Sequence, residues 1–296
     1  MTSTRHLPAH KEATRRADWG SYEYTARDDQ GLRFVAQQKF VSFDHLGQFL
    51  APDLEPALDD APTEQRLPGP RGGKRDNLPW PRERSQRLHA LAEIVRRWEK
   101  KMGYAETWKP WAHEQTWVRV TAAGLRALGL AWNEIAFPED RLRLTLTSHT
   151  AQVNARRLFL ARGGAEAPAH VWISEREIAV QQAAHGDDAR QMHRPDGVLV
   201  LHEDGVYPIK RGGAIVGWIP MRGGQTVAIE VELTRKGRER LGEGILPSLL
   251  AHYDFAWYFC GTREVYETLV AARRDALHTA EERDRIRILL VQTPGG

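Results

Sequence analysis

The chain has 296 residues, 41% of them hydrophobic, a formal net charge of +3 and one cysteine, Cys260. Such a length predicts one large or two ordinary domains with a real core, and a lone cysteine excludes an intramolecular disulfide and a cysteine-rich zinc site. No apolar run reaches the roughly 18 residues of a membrane span. The polar, basic stretch 1–19 lacks the apolar segment of a signal peptide, so a cytoplasmic protein with no membrane contact is expected.

Residues 1–27 read as a flexible arm. Asp28 to Gln37 follows as a short helix carrying Leu32, Phe34 and Val35. Ser42 is placed to cap a second helix with the apolar stripe Phe43, Leu46, Phe49 and Leu50. Residues 51–81 are rich in Pro and Gly and read as an inserted loop. Arg82 to Met102 carries the clearest helical period, with Leu88, Leu91, Val95 and Trp98 on one stripe and Gly103 as its stop. Basic residues line its other faces: Arg82, Arg84, Arg87, Arg96, Arg97, Lys100 and Lys101. Trp117 to Val120, including Arg119, reads as a strand, and Thr121 caps a further helix up to Leu128. From Arg66 to Arg126 there are 14 Lys and Arg against six Asp and Glu, a net of +8. A block of this sign points to a polyanion partner, against the plainer reading of a solvated basic face. Two helices, a basic helix and a strand pair are the order of a winged helix, whose third helix enters the major groove.

Residues 131–148 read as a connector. His149 to Ala161 is a predicted helix, Val171 to Ile178 a strand running into a capped helix, and Val198 to Leu201 a strand. Residues 203–225 read as an inserted hairpin, and Val227 to Leu233 as a strand buried on both faces. Lys236 begins a mostly helical stretch to Tyr253, with Pro247 as its irregular point. Phe255–Cys260 is a strand, Arg263–Leu277 a helix and Ile286–Gln292 a last strand. The fold class expected is α/β, or α+β over the whole chain: a winged helix-turn-helix over 28–130 and a three-layer α/β domain over 149–296.

Three acids stand out in that second domain. Asp196 follows Pro195 at the mouth of one apolar strand, and Glu230 and Glu232 sit two apart on the next, hence on one face. Buried carboxylates are costly unless paired. A divalent metal is one partner, with phosphodiester chemistry as its usual use. The alternative is that Glu230 pairs with Arg194 or Arg235 and Glu232 faces solvent. His149, His185 and His193 stand near these segments in sequence, where lone core or surface histidines are the commoner reading.

The order of elements around Arg194-Pro195-Asp196-Gly197 and Glu230-Val231-Glu232 resembles the PD-(D/E)xK nuclease core. That resemblance implies Mg²⁺ held by Asp196, Glu230 and an early acid, Glu175 or Glu177, with Glu232 where a lysine is usual and Lys236 as a substitute cation. The catalytic set so implied is Asp196, Glu230, Glu232 and Lys236. The chain as a whole resembles the actinobacterial replication-relaxation family of plasmids and mobile elements. The similarity rests on Val95-Arg96-Arg97-Trp98-Glu99-Lys100-Lys101-Met102-Gly103-Tyr104-Ala105, Thr116-Trp117-Val118-Arg119-Val120-Thr121, His149-Thr150-Ala151-Gln152-Val153-Asn154, Trp172-Ile173-Ser174-Glu175-Arg176-Glu177 and Ala228-Ile229-Glu230-Val231-Glu232-Leu233-Thr234-Arg235-Lys236. It implies a DNA-binding protein in replication control, with double-stranded DNA, a second copy of the chain and a replication or transfer protein as partners. Two other functions fit the same residues: a metal-dependent endonuclease of defence or DNA processing, and a regulator or scaffold with a relic nuclease fold.

Overall fold

The computed structural model describes residues 23–51, 82–110, 116–130, 135, 144–186, 192–211 and 214–291, with the side chains of 82–88, 144–146, 165 and 210–211 outside that set. The 51–81 insertion from Pro52 on, most of the connector and the arm before Glu23 therefore lie outside the described residues.

Helix α1 spans Ala26–Gln38, so the last two residues of the expected arm are already helical. Thr25 and Asp28 form a capping box, each side chain bonding the other's backbone N–H. Strand β1 (Val41–Ser42) leads into α2 (Phe43–Leu50), whose N-cap is Ser42 as the sequence predicts. Helix α3 (Arg82–Arg97) widens into a π turn over Trp98–Met102 and ends at Gly103, where φ is +68°. A left-handed residue is cheapest as glycine. The hairpin of β2 (Ala105–Trp108) and β3 (Trp117–Val120) then pairs with β1, giving an antiparallel sheet in the order β1-β3-β2. Thr121 caps the short α4 (Ala122–Ala127).

Leu32, Val35, Leu46, Leu91, Val95, Trp98 and Val118 form the core of this unit. Its tie is Asp28, which is 1% exposed. The carboxylate accepts from Thr25 N (2.9 Å), Thr25 Oγ1 (2.8 Å) and Trp98 Nε1 (2.6 Å), and it pairs with Arg97. These donors hold the ionised form below the usual carboxylate range against the burial that opposes it. Arg97, expected on DNA, is half-buried and committed to this buried carboxylate.

Helix α5 spans Leu144–Ala161 and starts five residues before the expected His149. It is followed by β4 (His170–Ser174), α6 (Glu175–Ala184), β5 (Gly197–Leu201), the hairpin β6 (Gly205–Arg211) and β7 (Ala214–Met221), and β8 (Thr226–Glu232). A π turn over Arg240–Ile245 precedes α7 (Leu246–His252). Pro247 lacks the N–H for an i−4 bond, and the irregularity expected there is taken up by that widened turn. Strand β9 (Phe255–Cys260), α8 (Arg263–Ala276), the short α9 (Ala280–Asp284) and β10 (Ile286–Leu290) complete the chain.

The main sheet has the order β10-β9-β8-β5-β4, parallel across β10-β9-β8 and antiparallel across β8-β5-β4. Its layers follow the period of two in β8. Val227, Ile229 and Val231 face a cluster with Leu160 of α5 and Tyr207 and Met221 of the hairpin. Ala228 faces the other way, with Tyr258 and Cys260, against Leu246, Leu249, Val265 and Leu269. The chain is thus mixed α and β, and among the described residues no helix is long and apolar enough to cross a membrane.

The two halves are sewn together through α5 and α6. Asn154 donates to Phe40 O (2.9 Å), Arg176 to Ala36 O, and Lys39 pairs with Glu175 (2.7 Å). Leu158 of α5 belongs to the N-terminal core.

Removing Asp28 strands the Trp98 N–H and the Arg97 charge together. Asp28→Ala is expected to cost about 3–5 kcal/mol, read as a fall in the urea midpoint. A loss below about 1 kcal/mol, the worth of a surface pair, would refute the tie.

Candidate functional site

The acids meet at one end of the main sheet. Glu230 and Glu232 share the Ala228 face of β8, where parallel pairing sets them beside Tyr258 and Cys260 of β9. Asp196 immediately precedes β5, whose Gly197 pairs with Ile229, so its carboxyl lies alongside the same stretch of β8. A Cβ on Gly197 would meet the Trp172 ring at 2.1 Å, so glycine is required for β4 to approach here. Both glutamates are 4% exposed. The reading in which Glu232 faces solvent is therefore corrected.

Each carboxylate has a partner. Asp196 Oδ2 accepts from Val231 N at 2.7 Å, and Asp196 Oδ1 lies 3.3 Å from His149 Nε2. His149 Nε2 is also 3.1 Å from Val231 O, so its N–H is shared between two acceptors. His193 Nε2 lies 2.8 Å from Glu230 Oε1. Lys236 Nζ is 2.5 Å from Glu232 Oε2, a contact of charge outside hydrogen-bond angles. Arg194 bonds Gln182 (2.9 Å) and Arg235 pairs with Glu264 (3.0 Å), so neither serves Glu230. Lys236 lies in the turn after β8, ahead of the helical stretch rather than at its start.

Burial pushes the Glu230 carboxyl up to about 7, against the His193 hydrogen bond that pulls it down. The bond to Asp196 raises the His149 imidazole, with the charge of Glu175 adding to it. Burial and the neighbouring carboxylates hold Tyr258 well above its ordinary value, and among the described residues its hydroxyl has no hydrogen-bond partner. The cluster is thus two imidazole–carboxylate pairs and a lysine–carboxylate pair around a buried phenol.

Glu175 and Glu177 separate. Glu175 pairs with Lys39, close enough to His149 for its charge to be felt there. Glu177 closes the capping box of α6 with Ser174 and accepts from Gln37 (3.3 Å), which leaves it as a cap instead of a metal ligand. Among the described residues no three His, Cys, Asp or Glu side chains are arranged to hold a metal ion. Mg²⁺ asks for converging hard oxygens, whereas these carboxylates are turned to imidazoles, an ammonium and a backbone N–H. As arranged, the residues do not fit a resident Mg²⁺.

The basic set is also divided. Arg96, Lys100 and Lys101 are exposed on α3 and its π turn, with Arg96 on Glu93 (2.8 Å) and Lys100 near Glu99 (3.4 Å). Arg119 pairs with Glu106 across the hairpin (2.6 Å), and Arg97 is held by Asp28. The side chains of Arg82, Arg84 and Arg87 lie outside the described residues. His149 and His193, which the sequence favours as lone core or surface histidines, reach the acids because packing brings together segments far apart in the chain. His185 bonds its own helix at Gln181 O (2.6 Å) and takes no part. Comparison with protein-family models, with curated proteins and with solved structures finds no match.

Glu230 and His149 both bind protons more tightly folded than unfolded. Each contributes stability that is whole below its unfolded value and lost as pH rises through its folded value. For Glu230 that window runs from about 4.5 to about 7. Glu230→Gln removes the ionisable group and keeps the shape. Its urea midpoint should match the wild type near pH 5 and exceed it near pH 8, by on the order of 3 kcal/mol at most. Parallel curves across that range would show that the buried carboxyl carries no such linkage.

Proposed function

We propose that the protein is a double-stranded-DNA-binding protein that acts in replication control of a plasmid or other mobile element. The observation that carries this reading is the N-terminal arrangement: α1, β1, α2, α3, then a β2–β3 hairpin, with sheet order β1-β3-β2. That is the order of elements in a winged helix, with α3 as the groove-entering helix and the hairpin as the wing. Arg96, Lys100 and Lys101 are its phosphate contacts. The Arg96–Glu93 pair is exposed on both sides and Lys100 is exposed on its side of Glu99; such pairs are worth roughly 0–1 kcal/mol each, and the cations exchange readily for phosphate. The mobile-element setting rests on the resemblance to replication-relaxation proteins, and a cytoplasmic location goes with DNA as the partner.

A second reading, Mg²⁺-dependent nicking, is favoured by one observation. Asp196, Glu230, Glu232 and Lys236 gather at one end of the mixed sheet, which supports the resemblance to the PD-(D/E)xK core. It requires His149 and His193 to leave their carboxylates, so binding without cleavage is the better-supported reading.

Affinity for a duplex of mixed sequence, measured against salt, should give a log–log slope of about −3 for three phosphate contacts. Lys100→Glu with Lys101→Glu should weaken binding at least about ten-fold and flatten that slope by about two. A slope near zero, or unchanged affinity in the double variant, would overturn the DNA surface. Supercoiled plasmid incubated with protein and Mg²⁺ or Mn²⁺ should remain supercoiled. Nicking that Asp196→Ala and Glu230→Ala both abolish would replace this reading with the second.

A further inference from the structure

A cavity of about 470 Å³ lies between the two halves of the protein. Phe34 of α1 and Phe49 of α2 line it from one side; Arg157 and Leu160 of α5 and His170 and Trp172 of β4 line it from the other. Phe34 and Phe49 are stacked, with ring centroids 4.2 Å apart. The Arg157 guanidinium sits 4.6 Å from the Phe34 centroid and 5.8 Å from that of Trp172. The volume falls in the range of small-molecule sites, and so does the composition: mostly aromatic and aliphatic walls with few polar groups.

Arg157 is the unusual member. It is half-buried in the junction, and its hydrogen bonds are to neutral amides. It donates to Gln37 Oε1, and Gln38, in the amide orientation that satisfies its neighbours, accepts from Arg157 Nη1 (2.8 Å) and Trp172 Nε1 (3.1 Å). Among the described residues no carboxylate is in contact with it; Glu177 acts on it only at a distance. Burial lowers the guanidinium to about 9, which still leaves it charged at neutral pH. Burial also lowers His170, so the cavity holds one cation rather than two. A partly desolvated guanidinium with no carboxylate in contact among the described residues gains from an anion entering the cavity, through charge-assisted hydrogen bonds.

We propose that this cavity binds a small organic monoanion with a flat apolar body, an aromatic carboxylate in class. Its acid group bonds Arg157, and its ring lies against Phe34, Phe49 and Trp172. A single planar guanidinium suits one carboxylate. A nucleotide is the poorer fit, because its phosphates would bring two or more charges to one cation. The walls come from α1 and α2 on one side and from α5 and β4 on the other, so an occupant bridges the N-terminal unit and the α/β domain. The site is then placed to act as an effector pocket, independent of whether α3 binds DNA.

The test is isothermal titration of the full chain with 1-naphthoate and with its neutral analogue 1-naphthalenemethanol. Naphthoate should bind with a Kd on the order of 0.1 mM, and the alcohol at least about ten-fold more weakly. Arg157→Gln should abolish that difference. Ala161→Phe, at the exposed rim of the cavity, should block both compounds while leaving the melting curve of the free protein unchanged. Absence of naphthoate binding, equal binding of acid and alcohol, or undiminished binding by Ala161→Phe would each overturn the proposal.

Discussion

Burying two carboxylates in β8 is the constraint around which the α/β half is arranged. An ionised carboxylate in an apolar setting costs several kcal/mol unless charge and hydrogen bonds compensate it. The chain answers with one cationic or imidazole partner for each: His193 before β5 for Glu230 and Lys236 after β8 for Glu232, while His149 of α5 serves the neighbouring Asp196. Asp196 also caps the strand edge through Val231 N. The same demand explains why the segment before β5 runs close to the end of β8, and why Gly197 must be glycine where Trp172 crosses it. A structural strand would have used valine at these positions, as it does at Val227 and Val231. The presence of acids there, together with a buried Tyr258 hydroxyl that has no hydrogen-bond partner among the described residues, marks this end of the sheet as the part of the fold not optimised for stability alone.

The second organising element is helix α5, which belongs to both halves. Its Leu158 completes the N-terminal core while Leu160 packs on the main sheet. Polar contacts reinforce the seam: Asn154 to Phe40 O, Arg176 to Ala36 O, Lys39 with Glu175. A helix shared in this way cannot be assigned to one domain by a cut in the sequence. It also makes the junction a load path, since any shift of α1 moves the walls of the Arg157 cavity and the salt bridge to α6 together.

Much of this was legible from local pattern. Ser42, Thr121 and the stop at Gly103 act as their types and spacing require, and β8 is buried on both faces as its apolar composition implies. The capping of α1 began three residues earlier than the hydrophobic pattern suggests, because Thr25 and Asp28 form a reciprocal pair that precedes the first apolar residue. The two-residue β1 and the short α9 carry too little periodicity to be read. The acids of the candidate site were visible as a group because two of them share one strand. Their partners were not, since His149 and His193 take their roles from contacts 37 to 82 residues away in sequence. The commitment of Arg97 to Asp28 and of Glu177 to a cap was hidden for the same reason: an exposed-looking charge at helical spacing says nothing of a buried partner on another element.

These pairings divide the charges of the protein into two kinds. Arg97–Asp28, His193–Glu230 and Lys236–Glu232 each place at least one partner out of water, so exchanging them for an outside ligand would leave a buried charge behind. Arg96–Glu93 and Lys100–Glu99 are half or more exposed on the cation side and lose little on opening. The exposed pairs are not confined to α3, since Arg235–Glu264 and Arg263–Glu267 of the α/β half are exposed on both sides as well, whereas the pairs of the acidic cluster are not free to open. For the proposed DNA-binding reading, the openable pairs on α3 therefore matter more than the summed charge of +3, while the cations of the acidic cluster stay committed to their carboxylates.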